Sequence, residues 1–212
     1  MLLSDYIESH TTSASNAAAA VERWAHLHTA QPQMLCGQYE GRLLTTLCRA
    51  TGGRCAVEIG AYVGYSTIFI AQGLGDNGCL HTFEVNDENE QAIDSHLRQA
   101  GVRERVSLHI GDALSLIPSV FRNEERAVDF AFIDADKRHM RDFYELMMPL
   151  MRVGGIIVVD NVLWSGKVLD LDKNRDIDTA VIHAFNEFVQ NDPRVENIML
   201  DVRDGLLICS VL

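Results

Sequence analysis

Lysine is scarce in this chain of 212 residues: only Lys137, Lys167 and Lys173 are present. No Lys or Arg precedes Arg23, so the cationic stretch that opens a secretory signal peptide is missing. No apolar run reaches the roughly 18 residues that a membrane-spanning helix needs. The five cysteines, Cys36, Cys48, Cys55, Cys79 and Cys209, include no C-x-x-C pair, so spacing shows neither a zinc knuckle nor a dithiol redox motif. Most read as small apolar fillers, which suits a reducing compartment. Basic charge is short as well: 18 Lys and Arg against 30 Asp and Glu give a formal charge of −12. A field of that sign repels phosphate backbones and anionic headgroups, which argues against nucleic acid and membrane surfaces as partners. The expectation is a cytoplasmic enzyme or small-ligand binder.

What is present patterns as one α/β domain spanning residues 1–212, of a length that buries its own core. Ser13 or Ser15 is placed to cap a helix through Ala17–Ala20, Val21, Trp24, Ala25 and His28, stopped by Pro32. The stretch 10–16 either joins that helix or frays, and residues 1–33 read as an extension serving as lid or dimer contact. A second helix is expected over 38–50 with Leu43, Leu44 and Leu47 inward, closed by Gly52-Gly53. From Cys55 onward strand and helix alternate. Strands are expected at 55–60, 79–85, 106–110, 128–133 and 156–159. Helices are expected at 66–73, 88–100, 113–121, 140–151 (ended by Gly154-Gly155) and 176–190. Strands at 195–200 and 206–212 close the chain as a hairpin. This order predicts a doubly wound seven-stranded sheet with an antiparallel C-terminal strand at its edge.

The first strand runs into Glu58-Ile59-Gly60-Ala61-Tyr62-Val63-Gly64-Tyr65-Ser66 and then a helix, the turn where doubly wound folds take nucleotides. The glycine spacing is G-x-x-x-G behind an acid. It differs from the dinucleotide G-x-G-x-x-G, and no G-K-[ST] follows to make a phosphate loop. Glu84, 24 residues beyond Gly60, closes the next strand, where a carboxylate can accept hydrogen bonds from both hydroxyls of a ribose. The plainer alternative is a structural glycine pair with a solvated strand-end acid. Taken together, the features point to a ribonucleoside without a phosphate requirement, such as S-adenosylmethionine.

Two later strands end in acids: Phe132-Ile133-Asp134-Ala135-Asp136-Lys137 and Val158-Val159-Asp160-Asn161. In a parallel sheet both ends emerge on one edge, so Asp134, Asp160 and Asn161 offer three hard oxygen donors. Such donors suit Mg²⁺ first, and Mn²⁺ or Ca²⁺, better than zinc. The alternative is that these residues merely cap helices and form turns. Lys137, beside such a cation, is placed to serve as a base.

These blocks resemble the metal-dependent, catechol-type class I O-methyltransferases, which include the catechol and caffeoyl-CoA enzymes. The resemblance runs from about residue 34 to the C-terminus. It rests on E-I-G-x-x-x-G-Y-S at Glu58–Ser66, F-E-V-N at Phe83–Asn86, D-A-D-K at Asp134–Lys137, D-N-V-L-W-S-G at Asp160–Gly166, and D-G-L at Asp204–Leu206. It implies a Rossmann-like methyltransferase fold with Glu58, Gly60, Ala61, Ser66 and Glu84 around S-adenosylmethionine. It further implies backbone contacts to that cofactor from Cys36 and Ala113, and a contact from Asp136. Asp134, Asp160 and Asn161 take the metal-ligand roles, with Lys137 as catalytic base and Asp134 beside it in catalysis. The implied substrate is a small catechol-like aromatic carrying a vicinal diol, and the implied assembly a homodimer. Two departures point away from a CoA thioester. No Lys or Arg stands in the N-terminal segment before Arg23, and Ser165 stands where the caffeoyl-CoA enzymes carry Asn. Ala135-Asp136 also replaces the aromatic residues that follow the first metal aspartate in the animal catechol enzyme. The other readings are a metal-independent small-molecule methyltransferase and a nicotinamide-dependent oxidoreductase.

Overall fold

The structure, a computed structural model, describes residues 2–122 and 124–212. Its contacts group into two compact units, the first ending at Asp112 and the second beginning at Ala113.

The first unit opens with α1 (Leu3–Ser9), a short helix whose few residues show no readable period, and α2 (Asn16–His28). Ser15 caps α2, its Oγ accepting from the Ala18 N–H at 3.2 Å. The preceding stretch, open to fraying on sequence grounds, is tied down by residues of α3 (Gly37–Ala50). Arg42 Nε donates to the Thr12 carbonyl at 3.0 Å, and Gln38 Oε1 accepts from the Ala14 N–H at 2.9 Å.

On α3 the buried face is Glu40, Gly41, Leu44, Thr45 and Cys48, while Leu43 and Leu47 stay half-buried. The leucine-based expectation was thus rotated from the true face. The reason is close packing against α4 (Tyr65–Gly73), where small residues serve better than large ones. A side chain at Gly73 would sit 2.6 Å from the Thr45 carbonyl oxygen, and Thr45 Oγ1 donates to the Phe69 carbonyl at 2.8 Å. Every residue of α4 from Tyr65 to Ala71 is buried, so this helix is covered on all sides and forms core.

Around it run β1 (Cys55–Ile59), β2 (Cys79–Glu84), α5 (Glu90–Gln99) and β3 (Val106–Ile110). The three strands are parallel, with Cys55 opposite Cys79, Glu58 opposite Thr82, and Phe83 opposite His109.

The second unit contains α6 (Ala113–Val120), β4 (Val128–Ile133), α7 (Met140–Met147), β5 (Met151–Asp160), α8 (Ile177–Gln190), β6 (Val195–Leu200) and β7 (Leu206–Val211). Helix α7 is shorter than its expected 140–151. Pro149 stops it: Met148 still has helical angles, φ −50° and ψ −49°, but proline has no N–H to donate to the carbonyl one turn back. Met151 already belongs to β5, so Gly154-Gly155 do not terminate a helix but lie inside a strand. There they accommodate an irregularity: Val128 pairs with Met151 but Phe130 with Ile156.

Strands β4 and β5 are parallel, whereas β7 is antiparallel to both β5 and β6. The sheet has seven strands in the order β3-β2-β1-β4-β5-β7-β6. The doubly wound α/β expectation holds, with one adjustment: antiparallel β7 is inserted between β5 and β6, so the edge strand is β6.

Candidate active site

In the first unit the glycine turn is built around Glu58. Its carboxylate is fully buried on β1. Oε1 accepts from Ser66 Oγ at 2.6 Å; Oε2 accepts from Thr67 Oγ1 and Thr82 Oγ1, both at 2.6 Å. Three hydroxyl donors replace the water this carboxylate gave up, and they lock β1 to the start of α4 and to β2. Glu58 and Ser66 therefore act on the shape of the turn. That shape is left-handed at Gly60, Tyr62 and Gly64, with φ of 98°, 50° and 84°. The Gly60 N–H donates to the Phe83 carbonyl at 2.9 Å, and the Gly64 N–H to the Ala61 carbonyl at 2.8 Å.

Glu84, buried at the end of β2, clamps the same turn. Its Oε2 accepts from the Tyr62 N–H at 2.7 Å and its Oε1 from the Asn86 N–H at 2.9 Å. An ionised carboxylate offers about four acceptor positions, so two N–H donors leave capacity for a pair of hydroxyls. Tyr62 Oη donates to the Gln31 carbonyl at 3.3 Å, which ties the turn to the segment leading into Cys36, the buried residue before α3. The first unit thus gathers Glu58, Gly60, Ala61, Ser66 and Glu84 about one turn.

The second unit holds the other candidates. Ala113 is the buried first residue of α6. Asp136 is exposed and caps a single turn over Lys137–His139, with Oδ2 2.7 Å from His139 Nδ1. Ile133 pairs with Val159 in the parallel β4–β5 register, so Asp134 and Asp160 follow at the same strand ends. Lys137 Nζ donates to Asp134 Oδ1 at 3.0 Å. Asp160 is only 5% exposed. Burial, then the charge of Asp134, push its carboxyl up to about 7, with Lys137 pulling the other way. Asn161 is left-handed, φ 63°, and its N–H donates back to Asp160 Oδ1 at 2.6 Å.

Asp134 and Asp160 bring two hard carboxylates to one strand edge, Asn161 follows directly in the chain, and the buried Asp160 resists ionisation beside Asp134. A divalent cation relieves that penalty, so these residues fit one.

The loop after Asp160 is pinned from the turn before β7. Val162 and Leu163 donate backbone N–H groups to the carbonyls of Gly205 (3.1 Å) and Asp204 (2.8 Å). Ser165 donates its N–H and its Oγ to Asp204 Oδ1. The pinning holds Trp164, Ser165 and Gly166 in left-handed conformations, φ 49°, 54° and 74°. The Trp164 indole N–H is buried without a hydrogen-bond partner among the described residues.

Comparison with known proteins decides the family. The model of the O-methyltransferase family matches residues 9–212. The chain belongs to this family.

The enzyme is similar to tricin synthase 2 of Oryza sativa subsp. japonica, 34% identical over 181 residues, which cover 82% of this chain and 62% of that protein. It thus spans under two thirds of that relative. To the flavonoid 3',5'-methyltransferase of Vitis vinifera it is 32% identical over 82% of this chain and 77% of the relative. Among solved structures, it resembles the O-methyltransferase TomG of Streptomyces achromogenes, involved in tomaymycin synthesis and solved in complex with SAM. That match has a TM-score of 0.87 and 28% identity over 98% of this chain and 94% of that one. An O-methyltransferase from Bacillus cereus, in complex with SAH, matches with a TM-score of 0.83 and 28% identity over 98% and 96%.

Within this methyltransferase, sequence reading passed over Thr67 and Thr82, whose hydroxyls donate to Glu58, and over the pinning of Ser165 by Asp204. Thr82 lies opposite Glu58 on the neighbouring strand, a relation that register alone supplies.

Proposed function

We propose that the enzyme transfers a methyl group from S-adenosylmethionine to one hydroxyl of a small catechol-like aromatic, with a divalent cation, Mg²⁺ first, at Asp134, Asp160 and Asn161. Residues 1–212 act as one methyltransferase domain, with 1–33 as an extension. The charge of −12 supports a cytoplasmic, small-molecule role rather than a polyanion partner; the resemblance adds a homodimer. Among the described residues no helix is long and apolar enough to cross a membrane.

The observation that carries the reading is the buried Asp160 beside Asp134 with Lys137 at 3.0 Å from the latter. When bound, the cation supplies Lewis acidity that favours ionisation of the acceptor hydroxyl and aligns the diol. Lys137 Nζ, as the neutral amine, takes the hydroxyl proton, and Asp134 Oδ1 holds that nitrogen in position. The acceptor oxygen then forms its bond to the methyl carbon as the carbon–sulfur bond breaks, leaving S-adenosylhomocysteine. Glu84 holds the ribose hydroxyls, and Gly60 and Ala61 let the backbone approach the cofactor, with Cys36, Ala113 and Asp136 contributing further contacts.

The test is a methyl-transfer assay over catechols, flavonoids and caffeoyl esters, with Mg²⁺ or with EDTA. Vicinal diols are expected to be methylated, the activity lost in EDTA and restored by Mg²⁺. Full turnover in EDTA would remove the cation from the reaction and leave a metal-independent methyltransferase.

A further inference from the structure

We propose that the chain carries a second metal site of different chemistry, a zinc site formed by Cys55, Cys79 and His81 at the starts of β1 and β2. Cys55 and Cys79 are register partners on adjacent parallel strands, so their side chains share a face of the sheet. His81, two residues beyond Cys79, projects to that face as well. One ligand atom from each of the three lies within 4.8 Å of the other two. Cys79 Sγ and His81 Nε2 stand 3.9 Å apart. Tetrahedral zinc, with Zn–S near 2.3 Å and Zn–N near 2.0–2.1 Å, needs ligand atoms roughly 3.5–3.8 Å from one another. Side-chain rotations that move these atoms by about 1 Å complete the geometry.

A second residue orients the imidazole. His109, on β3 opposite Phe83, places its Nε2 3.1 Å from His81 Nδ1, with the two rings stacked 10° from parallel. When His81 Nδ1 donates across that contact, its Nε2 lone pair is left on the side of Cys79. A metal-bound histidine usually has such a partner on its other nitrogen, fixing tautomer and ring orientation. All three ligand residues are half-buried, so the site is shielded yet reachable.

Two sulfur donors and one imidazole select zinc over magnesium, the reverse of the oxygen set at Asp134, Asp160 and Asn161. The site is also remote from the glycine turn within its own unit. Cys55 opens β1 and Gly60 directly follows its last residue, about 16 Å away at roughly 3.3 Å per residue. Zinc there would clip two strands together, leaving a fourth position to water or a small ligand, and would stabilise the fold by binding only its native form.

The experiment is a cobalt(II) titration of the reduced, chelator-stripped full chain in excess Mg²⁺, which occupies the oxygen site. One equivalent of cobalt is expected to bring up a thiolate-to-cobalt charge-transfer band in the near ultraviolet, and zinc to erase it. Cys79→Ser and Cys55→Ser are each expected to abolish the band, and Asp160→Asn to leave it in place. His109→Gln should weaken zinc binding about 10–100-fold. In the unmutated chain, zinc should protect Cys55 and Cys79 from alkylation, mapped by mass spectrometry, so the answer does not depend on any variant folding. Cobalt bound without the charge-transfer band, or equal alkylation of Cys55 and Cys79 with and without zinc, overturns the proposal.

Discussion

In the proposed reaction centre Lys137 Nζ is held against Asp134 Oδ1 at 3.0 Å, with the lysine side chain 15% exposed. A base held this way is worth about 10²–10⁴ in rate. Lys137→Met is therefore expected to lower kcat by that factor while calorimetry shows unchanged affinity for S-adenosylmethionine. Unchanged turnover would take the base role away from it. Lys137 was legible in the sequence because lysine is rare and stands three residues after a strand-end acid. Glu58 was legible only as an acid before a glycine turn. Its role as the acceptor of three hydroxyls was hidden, because Thr82 lies 24 residues away and meets it only across the strands.

At the scale of elements, the turn before β7 governs the loop after β5. Gly205 has φ 92°, and a Cβ there would stand 2.4 Å from Leu163 Cγ and 2.8 Å from its backbone nitrogen. The left-handed conformation alone costs a non-glycine residue about 1–2 kcal/mol, and the backbone contact cannot be relieved by a rotamer. Gly205→Ala is expected to lower Tm and to push the 160–166 loop aside. The kinetic sign is a fall in kcat/KM for the acceptor, with S-adenosylmethionine affinity retained. A wild-type kcat/KM would separate the loop from acceptor binding. Helix and strand existence was readable from period and turn residues throughout most of the chain. The misses have local causes: α1 is too short to show a period, Pro149 was passed over as a stop, and α3 presents small residues to α4 instead of its leucines.

For the molecule as a whole, Asp160 makes stability depend on pH in an uncommon direction. Its folded-state carboxyl is raised to about 7 against an ordinary 3.8. Between those values the native chain holds a proton that the unfolded chain has released, so stability falls as pH rises through that window and stays low above it. Asp160→Asn removes the penalty. Without divalent cation it should therefore melt above the wild type at pH 8, by roughly 2–4 °C per kcal/mol relieved, with the gap shrinking at pH 5. Mg²⁺ at pH 8 should raise the wild type and narrow the gap, because it binds only the folded, ionised site. A gap of the same size at both pH values would remove the linkage. By itself, the sequence determined the alternation of strand and helix and the residue types at each strand end. Both are local: periodicity needs a few neighbours, and a turn needs its own glycines. The tertiary structure alone decided which of these residues meet. It put Cys79 opposite Cys55, Thr82 opposite Glu58, Asp204 under Ser165, and β7 inside the sheet. Strand register and strand order arise from pairing between distant segments, and no local pattern encodes either.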